Sequence, residues 1–99
     1  MNIQLKKTID KDGQKINVLT LDLEKLTGAD LCDAEDELFL RGSRSSNPLF
    51  TSLGSAVVAA KASGMLTEDI LTLGAQDFMR VSSPVKNFLY EWVLEDGQP

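Results

Sequence analysis

Residues 19–41 read LTLDLEKLTGADLCDAEDELFLR, and within them the chain changes from one kind of secondary structure to another. Leu19, Leu21 and Leu23 alternate with Thr20 and Asp22, the period of a half-buried strand. Thr27 is followed three positions later by Asp30, a capping box with Asp in place of the usual Glu. The Thr27 hydroxyl offers an acceptor to the orphan N–H groups of a first helical turn, and Asp30 places negative charge at the positive end of the helix dipole. A helix is therefore predicted over about residues 28–41, closed by Gly42 as a left-handed C′ residue. Leu31, Ala34 and Leu38 form its buried stripe, with Asp33, Asp36 and Glu37 elsewhere on the helix. The run Leu38-Phe39-Leu40 carries apolar surface around more of the helix than one core face needs, which makes this end the first candidate for partner contact.

Upstream lies a hairpin. Ile3, Leu5 and Ile9 share one face of an alternating segment, and Asp12-Gly13 supplies a type I′ turn, which needs positive φ at both central residues. A two-residue turn places Ile9 opposite Ile16 and Lys7 opposite Val18. The apolar phase then shifts from Ile16 and Val18 to Leu19, Leu21 and Leu23. One extra residue near Val18 or Leu19 restores it, pairing Leu5 with Leu21 and Ile3 with Leu23, so a β-bulge is expected there. A two-stranded hairpin is marginal alone; either helices cover its face or another chain extends its edge.

Downstream the pattern is helical. Residues 42–48, GSRSSNP, are loop by composition, and a second helix is predicted over 49–63 with Leu49, Leu53, Ala56, Val57 and Ala60 buried and Gly64 closing it. Thr67, Glu68 and Asp69 open a short helix through Leu73, stopped by Gly74. Residues 77–94 form the last helical region, with Phe78, Val81, Val85, Phe88, Leu89 and Trp92 at helical spacing. Ser83-Pro84 interrupts it, so either a new helix starts there with Ser83 as cap or one long helix kinks. The expected fold is α+β in one domain: a hairpin within residues 1–24, a compact bundle of about four helices within 27–94, and a frayed tail at 95–99.

Composition narrows the function. With 99 residues, 42% hydrophobic and 25% charged, the chain has ordinary globular values. A net charge of −5 argues against nucleic acid and anionic membranes as partners. There is no histidine, the commonest general base and metal ligand, and Cys32 is the single cysteine, so no intramolecular disulfide forms and a reducing cytoplasm suits the chain. The N-terminal segment lacks the apolar run of a signal peptide, and no stretch has the length of a membrane span. The acidic residues Asp33, Glu35, Asp36 and Glu37 lack the spacing and loop glycine of a calcium site and read as a solvated face. Residues 64–70 have the rhythm of a helix-turn-helix, but Glu68 and Asp69 lead the second helix where a DNA reader carries cations. No catalytic, cofactor or metal-binding residues are assigned, and no enzyme activity is expected. Tyr90 points away from the face shared by Phe88 and Trp92, so it joins Leu38, Phe39, Leu40 and Phe50 as a candidate partner-binding residue.

The hairpin with its DG turn, the strand leading into LTGADLCDAE, the alanine-rich AVVAAKASGM and the stretch TEDILTLGAQDFMRVSSPVKNFL together resemble the tail assembly chaperone proteins of long-tailed bacteriophages, the group that includes the small tail proteins of Mu-like and P2-like phages. An apolar pair, a spacer, Asp77 and an apolar helix ending in Phe88-Leu89 make the most family-like portion; Pro84 departs from it. The resemblance implies a non-enzymatic chaperone without cofactors that holds the helical tape measure protein soluble while tail tube protein assembles. It implies the cytoplasm of an infected or lysogenic bacterial host and absence from the mature virion. The tail tube protein and a second copy of this chain are further partners it admits. Two alternatives stand beside it, a structural tail subunit and a small regulatory or DNA-associated adaptor.

Overall fold

Two strands and four α-helices follow one another in a computed structural model that describes the backbone of residues 1–96 and the side chains of residues 1–91. The arrangement is the expected α+β one, an antiparallel hairpin followed by helices. Strands β1 (Asn2–Lys11) and β2 (Gln14–Thr20) meet at Asp12 and Gly13, whose φ angles of 53° and 81° are the positive pair a type I′ turn requires. Ile9 faces Ile16 beside the turn, as expected.

Farther from the turn the register departs from the expectation. Val18 faces Gln4 instead of Lys7, Ile3 faces Leu19 instead of Leu23, and the Leu5–Leu21 pair does not form. Strand β2 pairs without interruption through Val18 and Leu19, so the bulge predicted there is absent. The irregularity lies on the opposite strand, where the segment from Leu5 to Thr8 stands across from Asn17 alone. That segment bonds outside the hairpin: the backbone N–H groups of Lys6 and Lys7 donate to the carboxylate of Asp77 at 2.9–3.1 Å. Ile3, Leu5 and Ile9 are all buried, and the phase change on β2 is present, with Val18 exposed and Leu19 and Leu21 buried.

The chain then makes a single 3-10 turn at Leu23–Lys25 before α1 (Gly28–Leu40), so strand and helix are not directly joined. The capping box forms: the Asp30 N–H donates to Thr27 Oγ1 at 3.2 Å and the Thr27 N–H to Asp30 Oδ2 at 2.8 Å. Gly42, at φ 91°, takes the left-handed conformation past the helix end.

The expected helix from Leu49 is split. Pro48–Phe50 forms a 3-10 turn, and α2 (Ser52–Ser63) starts afresh at Thr51, whose Oγ1 accepts from the Gly54 N–H at 2.9 Å while donating to the Pro48 carbonyl at 2.7 Å. Every residue from Gly54 to Ala60 is buried, so α2 is enclosed on all sides, beyond the single stripe predicted. Small side chains let α1, α3 (Thr67–Leu71), α4 (Ala75–Asp96) and β2 pack around it.

Helix α3 ends two residues short of the expected Leu73. At Ser83-Pro84 no new helix starts, and α4 is continuous through Pro84. It continues to Asp96, into the stretch expected to fray; residues 97–99, and the side chain of Trp92 assigned to the apolar stripe, lie outside those described. Val81, Val85 and Leu89 of α4 join Ala34 and Leu38 of α1, the small residues of α2 and the buried face of the hairpin in one hydrophobic cluster. No described helix is long and apolar enough to cross a membrane.

Candidate docking surface

The last turn of α1 divides its three apolar residues. Leu38 is 0% exposed and belongs to the core, whereas Phe39 and Leu40 are 77% and 83% exposed. At 100° per residue these two point away from the buried stripe of Ala34 and Leu38. Of the residues selected from sequence at this end, Leu38 is therefore a support and the other two are the displayed surface.

Polar contacts fix the same turn against α3. Arg41 Nε donates to Glu37 Oε2 at 2.8 Å, its Nη2 to Glu68 Oε2 at 2.6 Å, and the Thr67 hydroxyl donates to Glu37 Oε2 at 2.6 Å. Burial pushes the Glu37 carboxyl up, but the Thr67 hydroxyl and Arg41, with the more distant charge of Lys61, outweigh it and hold the group below the usual carboxylate range. Hydrogen bonds from Arg41 likewise lower Glu68, and the two carboxylates raise Arg41. Exposed pairs of this kind contribute little individually, but a shared guanidinium fixes the direction in which the end of α1 points.

Phe50 and Tyr90 are brought together. Their ring centroids lie 4.7 Å apart with planes inclined at 43°, a tilted aromatic pair in which Phe50 is half-buried and Tyr90 is 48% exposed. Tyr90 thus does lie off the buried stripe of α4, as its spacing required, and one of its faces is already covered by Phe50.

Five further exposed apolar residues, Met1, Val18, Leu66, Leu71 and Met79, were not selected from sequence as partner contacts. Leu71 and Met79 lie within helices, and only the packed helices show which flank is left open.

The contact between the hairpin and α4 was also beyond sequence reasoning. Asp77 has a side chain only 2% exposed and accepts from Lys6 and Lys7, with Arg80 Nη1 at 3.3 Å. Burial pushes its carboxyl up, yet the two backbone donors, aided by the charges of Arg80 and Lys6, hold it below the ordinary carboxylate value. Its place in the first turn of α4 is the one local signal, since an acid there is favoured by the dipole whatever else it binds.

What these residues offer chemically is a displayed apolar turn and an aromatic pair on a rigid acidic scaffold, a surface suited to binding. A family model described as "Phage tail assembly chaperone proteins, E, or 41 or 14" matches residues 2–90. No curated protein and no solved structure matches the chain.

Proposed function

Because the chain belongs to the phage tail assembly chaperone family, we propose that it binds the tape measure protein and keeps that long helical client soluble while the tail tube assembles. The observation that carries this reading is the display of Phe39 and Leu40 at the end of a helix whose direction is fixed by Glu37, Arg41, Glu68 and Thr67. Large apolar side chains held in water by a rigid element are suited to the apolar stripe of an amphipathic helix. The Phe50–Tyr90 pair adds a second apolar surface for the same client. A net charge of −5 favours solubility of the complex.

Co-expression with a tape measure fragment tests the proposal. Wild-type protein is expected to co-purify with the fragment and lower its aggregation. The double substitution Phe39→Glu, Leu40→Glu is expected to keep the circular dichroism spectrum and thermal midpoint while weakening capture by about tenfold or more. Unchanged capture by the double variant removes the end of α1 from the interface, and a folded wild-type protein that neither binds nor protects the fragment overturns the chaperone reading.

A further inference from the structure

Two adjoining depressions, of about 240 and 310 Å³, run along the seam between the start of the chain, the Leu23–Lys25 turn and α4. They share Met1, Leu23, Glu24 and Phe88, and so form one groove. Its α4 wall is Pro84, Asn87, Phe88 and Glu91, the i, i+3, i+4, i+7 face of a helix. Pro84 keeps this phase only because α4 is continuous through it. Tyr90 lies on another flank, so the groove is separate from the Phe50–Tyr90 surface.

The groove has an apolar floor and an acidic rim. Leu23, Phe88 and Pro84 are half-buried along it, while Glu24 and Glu91 are exposed at its edge. Lys25 lies 3.0 Å from Asp22 and offsets that carboxylate, whereas no cation among the described residues pairs with Glu24 or Glu91. The positive charge lining the groove is the Met1 ammonium, which donates to the Leu21 carbonyl at 2.7 Å. With Asp22 offset by Lys25, the two remaining lining carboxylates, Glu24 and Glu91, outnumber it.

We propose that this groove is the docking site for a client segment that is helical and basic, with Lys or Arg flanking its apolar stripe. The proposal rests on the chaperone reading and adds the chemical class of the client. Apolar side chains of the segment lie against Leu23, Pro84 and Phe88. Lysine and arginine stems, which are themselves apolar, lie along the wall and carry their charges to Glu24 and Glu91. An acidic segment meets two unpaired carboxylates there and is rejected, so the rim selects by charge while the floor supplies affinity.

The test uses the full chain with two synthetic amphipathic helices of equal length, one of Leu and Lys and one of Leu and Glu. Backbone amide NMR is expected to show the Leu/Lys peptide perturbing Leu23, Glu24, Phe88 and Glu91, with the Leu/Glu peptide producing no shifts. The double variant Glu24→Lys, Glu91→Lys, which changes only exposed side chains, is expected to weaken Leu/Lys binding about tenfold, and added salt to weaken wild-type binding in the same direction. Equal affinity of the double variant and wild type, or perturbations confined to Phe39, Leu40 and Tyr90, overturns the groove. A tape measure fragment assayed in parallel separates the two claims. Full protection of the fragment by the double variant overturns the groove alone; a wild-type protein that binds the Leu/Lys peptide in the groove but leaves the fragment unprotected overturns the chaperone reading alone.

Discussion

Asp77 holds its hydrogen-bond partners across 70 residues of sequence, and its protonation state therefore reports on the whole hairpin. In the folded chain the carboxyl titrates below its ordinary value of 3.8, since the Lys6 and Lys7 donors and nearby cations outweigh the effect of burial. A group with a lowered folded pKa contributes stability above its unfolded value and loses it as pH falls through the folded one. The thermal midpoint is accordingly expected to hold from neutral pH to about 5 and to fall as acid protonates Asp77 and Glu37, whose shift has the same direction. Asp77→Asn is expected to lower the midpoint at neutral pH by about 5–10 °C and to flatten part of the acid slope, as read by circular dichroism. Ser55 presents the opposite case. Its hydroxyl is fully buried and has no hydrogen-bond partner among the described residues, so Ser55→Ala is expected to raise stability by about 1 kcal/mol in urea unfolding.

Elements whose causes are local were legible in the sequence. The DG turn depends on two adjacent φ angles, and the Thr27–Asp30 box on groups three residues apart, and both form as their residues dictate. The register beyond the Ile9–Ile16 pair was not legible, because the residue that takes the Lys6 and Lys7 donors comes from another element. Nor was the start of α2: the periodicity of residues 49–63 permits one helix, but Thr51 satisfies two backbone groups by breaking it. That break folds the Pro48–Phe50 turn back onto Gly54, where an added Cβ would collide with the backbone carbonyls of Pro48 and Leu49. Gly54→Ala therefore requires α2 and the turn to separate, although alanine is the better helix former. The expected cost is ~1–3 kcal/mol in denaturant unfolding, the reverse of the sign helix propensity gives. A stabilised Gly54→Ala protein would show that the turn is not held against α2.

At the scale of the molecule, the candidate surface was partly legible. The excess of apolar residues at the end of α1 is visible in LFL, and helical spacing already placed Leu38 on the buried stripe, where the structure has it; that Phe39 and Leu40 are left uncovered depends on how the other elements pack. The pairing of Phe50 with Tyr90 joins residues from separate elements and leaves no trace in spacing. The groove beside α4 likewise requires the Leu23–Lys25 turn to come alongside a helix more than half a chain away. The Asp77 contact bears on how the molecule is made as well as how it stands. During synthesis the hairpin leaves the ribosome while the carboxylate that shapes it, 71 residues later, is still untranslated. The strands are thus made before the acceptor of the Lys6 and Lys7 N–H groups, and their irregular segment is expected to be fixed only once α4 is in place. In the full chain, Asp77→Ala is expected to lower the protection of those two amides from hydrogen exchange, while the amides beside the DG turn retain theirs. The hairpin is made before the helix that is expected to complete it.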